Sequence, residues 1–336
     1  MNEVTTLLYL GLRGGGSRLL VDVSRELSSD NNIQVICSRD NEDIEELSSH
    51  ISTLKIQVPH NSKQVVRAFR FYFDVFRWMR FFTTSKTVVF MMPHYLDYIF
   101  LVLAKLFKIN VLYLVHDAEN HPGEKWPTKK AIKRRVRNVS EIGVFSQYVK
   151  AKVDDLTSNP IKVFELRHYP PKAMTKPKEL LVHDYCLTIG RIRDYKGIHQ
   201  LVEAWRSISL YETLIIAGQG DFKGQQLPNV QVINRWLTNS EFTYLIANAK
   251  LVILPYTEAS QSGVLASSGY FGKPTLVSNV GGLVDQNPQS YILNEDLELS
   301  TNIKVVLQSI SNQDLGDGLT KGFKKSWDLI DYLKSR

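Results

Sequence analysis

Leu254-Pro-Tyr-Thr-Glu-Ala-Ser-Gln-Ser-Gly-Val-Leu265, closed by Gly272-Lys-Pro274, decides how this chain is read. An apolar run from Lys250 to Leu254 reads as a buried strand. It enters a loop of Ser, Gln and Gly, and that loop opens a helix. The helix stops at Gly272, and Pro274 leads into the next apolar run. The first N–H groups of a helix have no partner inside it, so a strand that delivers small residues to a helix N-terminus makes an anion site. In an α/β sheet that place is the carboxyl end of the strands, where ligands bind. The stretch therefore predicts a phosphate-bearing ligand held by backbone N–H groups. A well-capped helix with no ligand is the plain alternative.

The same alternation runs outward in both directions. Apolar runs at Thr6–Leu12, Ile33–Cys37, Lys55–Val58, Thr87–Met91, Asn110–Val115, Glu141–Phe145 and Lys162–Phe164 read as buried strands, with helical segments between most of them. Runs near Cys186–Ile189, Thr213–Ala217, Val230–Ile233, Leu251–Leu254 and Pro274–Val277 form a second series, with helices near Gly197–Ser207, Asn239–Asn248 and Ser262–Phe271. Such alternation predicts parallel sheets covered on both faces. Arg167 to Lys178 holds three prolines and four cations, which marks an interdomain linker over 167–184. The expected organisation is a first Rossmann-like α/β domain over 1–166 and a second over 185–318. A final segment, 319–336, carries a last helix from Lys321 to Leu333.

The chain has 336 residues, 43% apolar and 22% charged, a globular composition. Two distant cysteines, Cys37 and Cys186, argue against a disulfide framework and fit a reducing compartment. No signal peptide is visible, and Tyr98–Val115 is too interrupted by Lys105, Lys108 and Asn110 to span a membrane. The net charge of +7 is uneven. Residues 63–152 hold 17 Lys/Arg against 6 Asp/Glu, an excess of +11, and the rest of the chain carries −4. One basic face suggests an anionic partner.

Four constellations carry candidate chemistry. Gly190-Arg-Ile-Arg-Asp-Tyr-Lys-Gly197 follows the opening strand of the second domain. Arg191 supplies a planar fork and Lys196 a point charge, a pair suited to a diphosphate. The second is the opening stretch, with Glu258, Ser260, Gln261, Ser262, Gly263 and Val264; Gly218 and Gly281-Gly282 lie in similar loops. The third is Arg13-Gly-Gly-Gly-Ser17, where Gly15 and Gly16 let backbone approach a phosphate or merely form a turn. It is not the dinucleotide fingerprint, which would need glycine where Leu19 stands. The fourth, His116-Asp-Ala-Glu-Asn-His121-Pro-Gly-Glu, puts two His and three carboxylates in nine residues after an apolar strand. Its spacing fits no standard metal site, so a polar wall for hydroxyl groups is expected, joined by His94.

Together these residues resemble the GT-B glycosyltransferases, in particular glycosyltransferase family 4. Gly190-Arg191…Lys196-Gly197 is similar to that family's G-R-x-x-x-x-K-G. His116-Asp…His121-Pro-Gly-Glu resembles its bacterial polysaccharide-type "HD…HPGE" loop, and Ser326-Trp327 its closing segment. The resemblance implies two doubly wound Rossmann-like domains facing a cleft, with a C-terminal helix crossing back to the first. It implies donor-diphosphate binding by Arg191, Lys196, Gly190 and Gly218, with His116 beside the transferred sugar and His94, Asp117 and His121 on the acceptor side. It also implies retention of configuration, no metal and no cofactor beyond the nucleotide sugar. One departure stands out. The family's E-x7-E carboxylates fall on Ala259 and Ser267, and the chain resembles instead a subgroup with a Q-S-G-V loop.

Residues 63–82 and 125–138 suggest the basic partner surface. Lys63, Arg67, Arg70, Asp74 and Arg77 share a helical face amid aromatic residues, and 125–138 has seven cations and no acid. Basic amphipathic helices of this kind suit an anionic membrane. Aromatic residues in the core and cations in water would also fit. No nucleic-acid-binding motif is present. The expected protein is a cytoplasmic enzyme, peripheral at the inner face of the membrane. It would transfer a sugar from a UDP- or GDP-sugar to a lipid-linked glycan in cell-surface polysaccharide synthesis. A GT-B nucleotide-sugar epimerase and a non-catalytic nucleotide-sugar-binding subunit are the alternatives.

Overall fold

The computed structural model describes residues 4–29, 32–59, 64–73, 75–120, 126–209, 211–222, 224, 227–286, 290–312 and 326–336. The apolar runs become strands, and each pairing between named strands is parallel. The first series is β1 (Val4–Tyr9), β2 (Ile33–Ser38), β3 (Ser52–Ile56), β4 (Ser85–Phe90), β5 (Asn110–Val115), β6 (Glu141–Val144) and β7 (Ile161–Val163), ordered β3-β2-β1-β4-β5-β6-β7. The second is β8 (Cys186–Ile189), β9 (Leu214–Ala217), β10 (Val230–Ile233), β11 (Leu251–Leu254), β12 (Thr275–Val277) and β13 (Tyr291–Ile292), ordered β10-β9-β8-β11-β12-β13. Val88, Val89 and Phe90 on β4 and every residue of β11 are fully buried, because helices cover both faces of a parallel sheet.

The connecting helices of the first sheet are α1 (Gly15–Glu26), α2 (Val65–Phe73), α3 (Val75–Phe82), α4 (Asp97–Leu106), α5 (Lys129–Val136) and α6 (Gln147–Asp154). Those of the second are α7 (Ile198–Trp205), α8 (Asn239–Asn248), α9 (Gly263–Tyr270), α10 (Leu283–Gln286) and α11 (Leu299–Asn312); α12 (Asp328–Lys334) follows. Their starts are chemically marked. Thr238 and Glu241 form a reciprocal capping box on α8, and Ser146 caps α6 by accepting from Val149 N–H at 3.1 Å.

The chain divides into two units, Met1–Glu165 with Trp327–Arg336, and Leu166–Ser326. α12 packs on the first unit. Trp327 Nε1 donates to the Glu165 carbonyl at 2.7 Å, the Asp328 carboxylate accepts from Glu165 N–H at 3.1 and 3.2 Å, and Leu329, Ile330 and Leu333 are buried. The segment read as the interdomain linker, 167–184, belongs to the second unit and is held by side-chain contacts. Arg167 donates to the Ser326 carbonyl at 3.2 Å, His168 is buried, and Leu180 lies in the second core. Its prolines and lysines sit between these anchors. The helix expected from Lys321 begins outside the described residues.

Over 63–82 the described residues form the helical stretches α2 and α3, as the periodicity predicts; Lys63 and Asp74 lie outside the described residues. Phe71, Trp78 and Phe82 are buried against Phe100 of α4, at ring separations of 6.5, 4.8 and 5.5 Å. Val66, Phe69 and Phe73, spaced along one stripe of α2, stay exposed, as does Tyr72. Not all cations of 125–138 are surface charges. Arg135 is only 5% exposed. It donates to Asp97 Oδ1 at 2.6 Å and to the His94 carbonyl at 3.0 Å, and lies 4.8 Å from the Trp126 ring centroid.

Asp97 is fully buried and also accepts from His94 N–H at 2.9 Å and from the Tyr113 hydroxyl. Burial pushes its pKa up against the opposing pull of Arg135. Removing one partner of such a pair leaves an uncompensated buried charge. Arg135→Met is expected to lower unfolding free energy at neutral pH by about 3–5 kcal/mol, read from urea denaturation. Adding Asp97→Asn should recover much of the loss, and two additive losses would show the pair to be uncoupled.

Candidate functional site

The strand order of the second sheet reverses between β8 and β11, which lie side by side. Loops leaving such neighbours turn to opposite faces of the sheet and open a crevice at its carboxyl edge. The β8 loop starts at Gly190, whose N–H donates to the Ala217 carbonyl at 2.9 Å. Gly218 follows β9 with φ 140°, and a Cβ there would stand 1.9 Å from the Gly190 oxygen. The loop then makes one turn over Asp194–Lys196 and reaches Gly197 at φ 65°. A Cβ on Gly197 would stand 1.9 Å from the Pro255 oxygen. Thr257 N–H and Oγ1 both donate to the Tyr195 carbonyl, at 2.8 and 3.3 Å. The β8 and β11 loops are thus fastened backbone to backbone.

This fastening positions Lys196. Its Nζ lies 3.6 Å from the ring centroid of buried Tyr256 and 5.2 Å from that of Tyr195. Burial pushes the Tyr256 phenol well up, so the ring is neutral. Arg191 is exposed at the start of the same loop.

The β11 loop ends at Ser262, the N-cap of α9. Ser262 Oγ accepts from Leu265 N–H at 3.3 Å. Gln286 grips the backbone of Ser262 from the side, its Oε1 accepting from Ser262 N–H and its Nε2 donating to the Ser262 carbonyl, each at 2.7 Å. With the Leu265 group capped, the N–H groups of Gly263 and Val264 are those at the helix start without an intrahelical acceptor. Val264 borders Gly190, since a Cβ on that glycine would lie 3.9 Å from Val264 Cγ2. Ser267 is buried further along α9, and Glu258 and Gln261 are half-buried. Asn234 repeats the Gln286 arrangement on Gly220, accepting from its N–H at 3.1 Å and donating to its carbonyl at 3.0 Å.

In the first unit the order reverses between β1 and β4, and the predicted residues gather at that edge. Gly16 is packed under the Tyr9 ring and Met92, while Gly15 is open. Gly14 N–H, at the start of α1, is held by Glu42 Oε1 at 3.0 Å, so a carboxylate occupies that N–H. Asp43 next to it is buried, and desolvation pushes its pKa up to about 6. His116 is 3% exposed, its Nε2 pairs with the Met91 carbonyl at 2.9 Å, and its ring lies 5.0 Å from Phe145. As the Nε2–H donor to that carbonyl, the imidazole is fixed in orientation. His94 serves the local turn, with Nδ1 accepting from Leu96 N–H at 3.2 Å. Asp117 follows His116, half-buried. His121 lies outside the described residues. Among those described, no cluster of His, Cys, Asp or Glu is placed to hold a metal ion.

The structure therefore groups Gly190, Lys196, Gly218, Ser262, Gly263 and Val264 in the second unit, and Gly15, Gly16, His94 and His116 in the first. Sequence reading missed Gln286, Asn234, Tyr256 and His168. A Cβ on Gly263 would lie 3.2 Å from His168 Nε2. Single amides and a buried tyrosine carry no spacing signal, and His168 stands in a segment whose prolines suggested a tether.

Residues 183–308 match the family described as "Glycosyl transferases group 1". A comparison with curated protein sequences gives no match. Among solved structures, the chain is similar to Anabaena Alr3699/HepE in complex with UDP and glucose, with TM-score 0.68 and 14% identity over 91% of this chain and 90% of that one. It is similar to sucrose-phosphate synthase from Thermosynechococcus elongatus, with TM-score 0.69 and 13% identity over 91% and 90%. It is also similar to WaaG, a glycosyltransferase involved in lipopolysaccharide biosynthesis, with TM-score 0.58 and 16% identity over 92% and 90%. With the two parallel sheets, these likenesses show a two-domain α/β fold of the GT-B type.

The Gln286 clamp can be tested directly. Gln286→Leu removes the acceptor of the buried Ser262 N–H, while the Ser262 carbonyl keeps Ala266 N–H at 3.1 Å, and the expected cost is about 1–3 kcal/mol in urea unfolding. Gln286→Glu keeps the acceptor for the N–H and should lose less.

Proposed function

We propose that this chain is a glycosyltransferase moving a sugar from a nucleotide diphosphate sugar to a glycan acceptor. The observation that carries the reading is the seating of Lys196 on the Tyr256 ring at the β8–β11 edge, in the loop that opens α9. A helix start supplies N–H groups and the positive end of a dipole, and Lys196 adds a full charge. A departing diphosphate gains negative charge as its bond breaks, so fixed donors there favour the transition state over the ground state. The group 1 match over 183–308 covers these loops, and a structure of the same fold holds UDP and glucose. Arg191 would be the second cation, and the family resemblance gives His116 the role of positioning the sugar or the acceptor hydroxyl. Transfer proceeds with retention and without a metal, and the sugar is a hexose; these are family inferences from the motifs of the β8 and His116 loops.

Lys196→Ala should lower turnover by roughly 10²-fold or more, the effect of losing one transition-state charge donor. Near-normal turnover would sink the assignment. A thermal-shift screen with UDP, GDP, ADP and their sugars identifies the base, because a bound ligand raises the midpoint with its affinity. Epimerised nucleotide sugar formed without acceptor would favour an epimerase instead. A bound nucleotide with neither hydrolysis nor transfer would favour a binding subunit.

The acceptor is a lipid-linked glycan of cell-surface polysaccharide synthesis, and the enzyme is held at the inner membrane face by its first unit. Among the described residues no helix is long and apolar enough to cross a membrane. The support is a surface of mixed character. α2 exposes Val66, Phe69 and Phe73, and α4 exposes Val102 and Leu106, with Phe107 just beyond. Exposed Arg70, Arg77, Lys105, Lys129, Lys130 and Lys133 lie on α2 to α5. Apolar insertion and attraction to anionic headgroups act together on such a face, each cation contributing about 1 kcal/mol near the surface. The protein should sediment with phosphatidylglycerol vesicles and far less with neutral ones, and Phe69→Glu with Phe73→Glu should abolish binding. Equal, negligible binding of the unaltered protein to both vesicles would refute the docking.

A further inference from the structure

We propose that Tyr256 is the positioning residue of Lys196, a neutral aromatic face that fixes the ammonium for a diphosphate. The inference rests on the donor-diphosphate reading of this loop. A lysine side chain is a flexible stem with a strongly hydrated head, and it contributes most to a transition state when its place is set before the ligand arrives. The face of an aromatic ring attracts a cation through its quadrupole and carries no charge itself.

The geometry meets each requirement. Nζ stands 3.6 Å from the Tyr256 centroid, against 5.2 Å for Tyr195. Tyr256 is 2% exposed, so its ring is held by the core of the second unit and has no room to turn away. The two residues are tied through their neighbours. Gly197, next to Lys196, presses on the carbonyl of Pro255, next to Tyr256, and Thr257 N–H bonds the Tyr195 carbonyl at 2.8 Å. Ring and ammonium thus belong to one rigid block. The same block carries Ser262, which opens the helix whose Gly263 and Val264 N–H groups face the proposed phosphate.

The test varies the ring's electrostatics while keeping its shape. Phenylalanine, 3,5-difluorophenylalanine and pentafluorophenylalanine are placed at position 256, in the native chain and in Lys196→Met. Calorimetry measures the affinity for the tightest of UDP, GDP and ADP, and for the corresponding nucleoside monophosphate. With Lys196 present, diphosphate affinity should fall stepwise, by about tenfold from the first ring to the last, while monophosphate affinity stays level. In Lys196→Met the series should be flat. A merely structural ring would weaken both nucleotides together, or neither. Equal diphosphate affinity across the series with Lys196 present, or an equal slope without it, overturns the proposal and leaves the donor site standing. If Lys196→Met binds the diphosphate as tightly as the native chain, or if none of the three nucleotides binds, the donor-diphosphate reading itself fails.

Discussion

The contact between Gly197 and the Pro255 carbonyl is the constraint on which the second unit's site depends. No side chain fits at Gly197, and its left-handed backbone is one that other residues rarely adopt. The two segments touch there backbone to backbone, and Thr257 N–H bonding the Tyr195 carbonyl at 2.8 Å holds the turn carrying Lys196 to the strand end carrying Tyr256. Gly218 against Gly190 does the same one strand further on. Side-chain amides complete the frame, Gln286 on Ser262 and Asn234 on Gly220, each satisfying a donor and an acceptor at once. Loops at a sheet edge are ordinarily the mobile part of a fold; here they are made stiff by contacts that involve no ligand.

The first unit uses charge differently at its two faces. Asp97 and Arg135 spend theirs inside, where the pair ties the start of α4 to α5 and to the turn at His94. Such a pair adds little net stability compared with apolar packing, but it is costly to leave half-made. Among the described residues, Arg70, Arg77, Lys105, Lys129, Lys130 and Lys133 stand exposed, and α2 exposes Phe69, Tyr72 and Phe73. The regional excess of charge is therefore not one feature but two, a structural ion pair and a surface field. Composition adds them together because it has no knowledge of burial.

Much of the fold was legible because a parallel sheet buried on both faces leaves a strong sequence trace. The runs at Asn110–Val115, Cys186–Ile189, Val230–Ile233 and Leu251–Leu254 became strands with those bounds, and Asn239–Asn248 became α8 unchanged. The short edge strand β13 and the helix α11 went unread, the first for want of length. The stretch expected to be helical over 63–82 is helical where it is described, with its aromatic residues divided between core and surface. Strand order was not legible, since hydrophobic pattern says that a strand is buried and not which strand lies beside it. Yet order is what brings the β8 and β11 loops together. Motif reading found the residues with unusual chemistry, Lys196 and Gly263, and missed the ordinary ones that hold them.

Ala259 and Ser267, the positions that the resemblance aligns with a family's two carboxylates, have a physical consequence at this edge. Ala259 is buried and its carbonyl accepts from Gly282 N–H at 3.0 Å, while Ser267 lies buried in α9. Neither position places a negative charge near the start of the helix. A carboxylate there would accept hydroxyl groups from a sugar or ribose, and would also oppose an incoming phosphate through the same field that α9 and Lys196 make favourable. Its loss shifts the balance toward the diphosphate, the part common to all nucleotide sugars. Under the proposed function, selectivity for the sugar then falls to Glu258, to neutral donors and acceptors such as Gln261 and Ser260, and to residues beyond this loop. Recognition by neutral groups is geometric, because a misplaced hydroxyl leaves a buried polar atom unpaired. The stiffness of the loop, set by glycine contacts and amide clamps, is what would make a geometric choice of that kind possible.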